Sequence, residues 1–103
     1  MATANKRLGK HSETRKRVPI YTGFIKYFPD AIIEVTKQST RGMLQHSTPT
    51  WNKDISRDEL DALMRHMIEG DWAAVAWRAM ANLQRECDKE NKKENKQLEL
   101  DLL

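Results

Sequence analysis

Apolar residues recur at helical spacing from residue 60 onward. Leu60, Leu63, Met64, Met67 and Ile68 form one stripe, and Trp72, Val75, Ala76, Ala79, Met80, Leu83 and Cys87 form another. Gly70 falls between them, where a left-handed residue closes a helix, and Asp71 is placed to cap the next. Ser56 followed by Glu59 reads as a capping box, with Asp58 and Glu59 favouring the positive end of the helix dipole. The pattern predicts a helical hairpin near 56–91. Its two helices are close enough in sequence to pack antiparallel. Upstream, Pro29 suits the first position of a helix and Asp30 its first turn. Phe28, Ala31, Ile32, Val35 and Ser39 make an inner stripe, and Gly42 ends the predicted helix near Arg41.

The remaining segments follow by contrast. VPIYTGFIKYF, residues 18–28, is aromatic but broken by Pro19 and Gly23, so an extended aromatic arm laid over a helical core is expected. QHSTPTWNKD, residues 45–54, reads as a loop. From Arg85 the chain is almost wholly polar, extending the last helix for a few turns before it frays. The expected fold is all-α: a small helical bundle of one helix plus a hairpin, with an extended aromatic N-terminal arm and a polar tail. The expected segments are a basic flexible arm over 1–17, a helical domain over 18–91, and a flexible tail with a leucine-containing end over 92–103.

Composition narrows the function classes. Of 103 residues, 39% are hydrophobic and 32% charged, and no apolar run approaches the roughly 18 residues of a membrane span. No secretory signal is recognisable, and one cysteine, Cys87, forms no internal disulfide and fits a reducing cytoplasm as a packing residue. The net charge of +3 is uneven, because residues 1–17 carry six Lys/Arg against Glu13. That arm suits a phosphate backbone, or serves as a solubilising terminus.

Several groups bear chemistry. Asp58 and Asp61 lie one helical turn apart, and Asp61 borders the apolar stripe, where a carboxylate needs a metal, an arginine or several donors. Both suit a hard divalent cation, since Mg²⁺ takes one or two carboxylates plus phosphate oxygens and water. Arg65, four residues after Asp61, either pairs with it or forks onto phosphate oxygens. Asp30 and Glu34 sit at i and i+4; Glu34 either shares a cation or pairs with Lys37. Gln45, His46 and Trp51 share one loop, where Trp51 either stacks on a purine or pins the loop by burial. Trp72 continues the inner stripe as a core residue. Trp77, off its centre beside Arg78, implies a second apolar face and self-association.

Four stretches, RKRVPIYTGFIKYFPDAIIEV, QHSTPTW, DELDALMRHM and VAWRAMANLQRE, together resemble the N-terminal domain of the phage dATP/dGTP diphosphohydrolase family, over about Arg15 to Glu86. That family is related to all-α, MazG-like pyrophosphohydrolases. The resemblance implies Mg²⁺-dependent cleavage (Mn²⁺ as the substitute ion) of a purine dNTP to the monophosphate and pyrophosphate, in a homo-oligomer in the bacterial host cytoplasm. It gives His66, otherwise a hydrogen-bonded structural histidine, a place in catalysis. The expected catalytic set is Asp61, Asp58 and His66, with metal on Asp61, Asp58 and Glu34. Arg65, Gln45, His46 and Trp51 would meet the substrate.

The region Glu69 to Trp72 is shorter than in that family, whose longer insert holds a histidine and a lysine. This motivates the alternative, a catalytically reduced interaction module for the replication machinery or DNA. Gln97-Leu98-Glu99-Leu100-Asp101-Leu102-Leu103 resembles the peptide by which bacterial proteins bind the DNA sliding clamp, with Leu103 where phenylalanine is common.

Overall fold

The computed structural model describes residues 5–46 and 59–103, with His46 described by its backbone. Helices make up most of the described residues, which include no strand: α1 Ser12–Lys16, α2 Ile20–Gly23, a 3₁₀ turn Ile25–Tyr27, α3 Pro29–His46, α4 Glu59–Glu69 and α5 Trp72–Asp101. Two compact units divide the chain, Met1–Ile33 and Glu34–Leu103. No helix among the described residues is long and apolar enough to cross a membrane.

In the first unit, a turn closed by the Leu8 N–H on Asn5 O (3.1 Å) leads to Gly9, whose φ of +80° suits a residue without a Cβ. α1 follows within the stretch read as a flexible arm, and the Arg15 guanidinium donates back to Gly9 O at 3.2 Å. The aromatic segment is built of helical turns rather than extended backbone. Pro19 starts it by accepting the Gly23 N–H at 2.7 Å, and Gly23 packs on the proline ring, where a Cβ would approach to 3.1 Å. A one-turn helix and a 3₁₀ turn bring Phe24 against Phe28 (centroids 5.6 Å apart) and Tyr27 edge-on to Phe28 (6.2 Å). Short hydrogen-bonded turns accommodate proline and glycine in place of the expected extended arm. These aromatics are exposed.

α3 begins at Pro29, as expected, and its stripe of Ile32, Val35 and Ser39 is half-buried. It continues beyond Arg41 to His46. Gly42 lies in open space on the helix and lacks the positive φ of a terminating glycine, so it only weakens the helix, by about 1 kcal/mol relative to alanine. Glu34 with Lys37 and Gln38 with Arg41 brace the exposed side.

The α4–α5 junction follows the sequence closely. Gly70 adopts φ +72°; its N–H donates to Met67 O (3.1 Å) and the Asp71 N–H to His66 O (3.0 Å), the paired bonds of a Schellman closure. Asp71 then caps α5, its carboxylate accepting from Ala74 N–H at 3.3 Å.

The face by which the two helices pack departs from expectation. Their seam is made of Ala62, Ala74 and Ala81, each under 5% exposed, and of Glu59, with Leu63, His66, Trp77, Arg78 and Arg85 half-buried around them. Leu60, Met64, Met67 and Ile68, expected inside, point outward, as do Trp72, Met80 and Leu83. The two tryptophans exchange roles: Trp72 is 66% exposed and Trp77 is half-buried. Alanines let the helices approach closely, and the charged group described below needs that same face; the large side chains do not fit there.

α5 runs on to Asp101, ten residues beyond the expected end of the hairpin. Its polar stretch consists of good helix formers, braced by Gln84 on Asp88 (3.0 Å), Lys89 on Glu86 (3.4 Å) and Gln97 on Asp101 (2.9 Å).

Candidate functional site

α4 carries the candidate residues on distinct arcs. Asp61 and Arg65 stand one turn apart, both exposed and outside the α5 seam, with Asp61 at the edge of the apolar stripe next to Ile68. The helix thus presents a carboxylate and a guanidinium together. His66 lies on the shoulder nearer α5; its Nδ1 is 3.8 Å from Asp71 Oδ2, beyond hydrogen-bonding distance but within electrostatic reach. Asp71 therefore serves two groups, capping α5 through one oxygen and facing the imidazole with the other.

The other candidates are placed as follows. Glu34 is exposed on α3 and holds Lys37 Nζ at 3.1 Å, the intrahelical pairing weighed against a shared cation. Gln45 and His46 belong to the last turn of α3, not to a loop, and Gln45 is exposed. Trp51, Asp58 and Ser56 lie outside the described residues. Among the described residues no three His, Cys, Asp or Glu side chains converge as a metal-ligating group. The donor chemistry of Asp61 nevertheless suits Mg²⁺, which needs no all-protein cage when phosphate oxygens and water complete its shell.

The most organised electrostatic feature was not anticipated. Glu59, 8% exposed, takes two arginines from α5: Arg78 Nη1 donates to Oε2 at 2.9 Å, and Arg85 Nη1 lies 2.7 Å from Oε1. Arg78 also lies over the Trp77 ring at 5.5 Å. Burial alone would push the Glu59 carboxyl up. The Arg85 and Arg78 guanidiniums outweigh it and hold the carboxyl below its ordinary value. Both Glu59 oxygens are thus engaged across the seam; the capping box read from the sequence depends on Ser56, outside the described residues. The signal was present but non-local. In a hairpin folded at Gly70, Glu59 and Ala81 are equally far from the turn, so Arg78 and Arg85 fall one turn to either side.

In comparisons with known proteins, no family model, curated protein or solved structure matches the chain.

Proposed function

We propose that the chain is a deoxynucleoside triphosphate pyrophosphohydrolase of the phage dATP/dGTP type, converting a purine dNTP to the monophosphate and pyrophosphate. One observation carries the reading. Asp61 and Arg65 project side by side from α4 into solvent, while the neighbouring acid Glu59 is consumed by the seam. A carboxylate for a divalent ion and a fork for phosphate oxygens are the two elements this chemistry needs at close quarters. Asp61 would hold Mg²⁺ or Mn²⁺, with Asp58 and Glu34 as further donors; the bound ion would supply Lewis-acid polarisation of the phosphates. Arg65 orients the triphosphate, His66 is placed to move a proton, and Gln45, His46 and Trp51 are assigned to the purine. The resemblance of the four sequence stretches supports the same reading. Pyrophosphate release, followed colorimetrically with coupled pyrophosphatase for each of the four dNTPs in Mg²⁺ or Mn²⁺, tests it. Release from dATP or dGTP is expected; no release from any dNTP with either ion removes the proposal.

A second reading has its own observation. Lys10, Ser12, Arg15 and Lys16 line an open hollow of about 470 Å³ in the N-terminal unit, which also exposes Tyr21, Phe24 and Tyr27. Basic groups and solvent-exposed aromatic side chains suit a nucleic-acid-binding module. The clamp-like end adds to this reading, with Leu98, Leu100, Leu102 and Leu103 exposed. Engaging Gln97 as a peptide would require α5 to give up its final turn and the Gln97–Asp101 bond. Retention on immobilised bacterial clamp, compared between the full chain and one ending at Lys96, decides the clamp element; equal retention eliminates it.

A further inference from the structure

The N-terminal unit carries charge and aromatic surface that its own packing does not use. Among its described residues, 5–33, seven Lys/Arg stand against Glu13 and Asp30, a net of +5. The cations are placed rather than loosely strung. Lys10, Arg15 and Lys16 line one open hollow with Ser12, and the Arg15 guanidinium is tied back to Gly9 O at 3.2 Å. Downstream, Tyr21 and Tyr27 are 63% and 69% exposed, with Phe24 and Phe28 about half exposed beside them. These rings sit on short hydrogen-bonded turns and are braced by the Phe24–Phe28 and Tyr27–Phe28 contacts, so their placement is set before anything binds. Lys26 Nζ stands 6.0 Å from the centre of the Tyr21 ring, at the outer reach of a cation–π contact. A cation and an exposed ring thus lie side by side, a pairing that matches the phosphate and base of a nucleotide.

We infer that the N-terminal unit grips single-stranded nucleic acid, its cations on the phosphates and Tyr21 and Tyr27 stacked on unpaired bases. This rests on the nucleic-acid reading above and names the strand form that reading leaves open. An exposed ring stacks on a base only when that base's face is open, and duplex stacking closes both faces. Reading a duplex groove calls for a helix or ribbon laid along it, whereas α1 and α2 have five and four residues. Charge alone would favour a duplex, which packs one phosphate per about 1.7 Å of its axis, and the rings would add nothing there. An anionic membrane surface is the rival for a basic, aromatic segment. Interfacial binding, however, uses a continuous amphipathic helix lying in the plane. Here the apolar residues are divided between a four-residue helix and a three-residue turn. Because every base has a face to stack, little sequence preference is expected. None of these residues belongs to the group proposed for dNTP cleavage, so the inference does not depend on that chemistry.

Fluorescence anisotropy of the full chain with a labelled oligo(dT) strand of about 20 nucleotides tests it, against a duplex of equal length and against phosphatidylserine vesicles. The strand should bind at least about tenfold more tightly than the duplex at the same salt. Its affinity should fall with salt at a log–log slope of about −2 to −3, as expected when Lys10, Arg15, Lys16 and Lys26 meet phosphates. Tyr21→Ala with Tyr27→Ala should weaken strand binding at least about tenfold. Tyr21→Phe with Tyr27→Phe should bind like the parent, since the ring and not the hydroxyl stacks. Where the alanines disturb the fold, photocrosslinking of an iododeoxyuridine strand to the parent chain still decides, with adducts expected on Tyr21 or Tyr27. Equal affinity for strand and duplex, folded alanine variants that bind like the parent, or adducts only at other residues overturn the inference and leave a nucleic-acid module standing. Binding to neither nucleic acid, whether or not the vesicles are bound, removes both.

Discussion

Glu59 sets two guanidinium groups on one nearly buried carboxylate. Replacing it by glutamine leaves Arg78 and Arg85 facing each other with no counter-charge in a partly dry seam. A fully buried pair would cost more, but Arg78 and Arg85 retain some solvent, so the expected loss is about 2–3 kcal/mol. Urea unfolding of Glu59→Gln against the parent chain measures it. A loss below about 0.5 kcal/mol, typical of a surface pair, would show that the group is not a structural lock. The same carboxyl predicts a pH dependence. Its folded pKa is lowered, so its stabilisation is full above the ordinary glutamate value of about 4.3. It declines below that value, as unfolded chains take up the proton first, and is exhausted once the pH has fallen through the folded carboxyl's lower value. The parent's urea midpoint should therefore fall more steeply below pH 4 than that of Glu59→Gln. Parallel curves would contradict the assignment. None of this could be read from neighbours in sequence, because both partners of Glu59 lie beyond the turn.

At the scale of elements, the Gly70–Asp71 junction was the most legible part of the chain, because its instructions are local. Gly70 needs a positive φ, and Asp71 needs only the amide of Ala74 three residues on. Gly70→Ala should destabilise the hairpin by about 1–2 kcal/mol, since no crowding adds to the left-handed strain. Asp71→Ala should cost about 1 kcal/mol as a lost cap. Thermal unfolding by circular dichroism checks both; an unchanged midpoint for Gly70→Ala would show that the closure contributes nothing. Helix type was legible because the apolar period is unambiguous. Which face turns inward was not, since periodicity locates a stripe without naming its partner, and small residues with a charged triplet took the seam instead. Gly42 misled in the opposite sense: a glycine in sequence marks a helix end only when its φ turns positive. The candidate site was partly legible. Asp61 and Arg65 share a solvent arc as their spacing requires, but Glu34 is paired with Lys37 and Gln45 belongs to a helix.

For the molecule as a whole, α5 carries a thirty-residue helix whose far half bears mainly charged side chains. Its near half is where the chain commits its apolar surface. Within the hairpin, α4 turns one arc, carrying Asp61 and Arg65, to solvent. On that arc the proposed chemistry rests on a single carboxylate more than on any other group. Asp61 is exposed and outside the seam, so Asp61→Asn should leave helicity and unfolding midpoint unchanged. The most direct measurement is therefore Mg²⁺-dependent pyrophosphate release from dATP and dGTP by the parent chain and by Asp61→Asn, both verified as equally folded and equally associated. Release by the parent and a loss of at least a thousandfold in the variant is the predicted result; a variant that releases pyrophosphate at the parent's rate would contradict it.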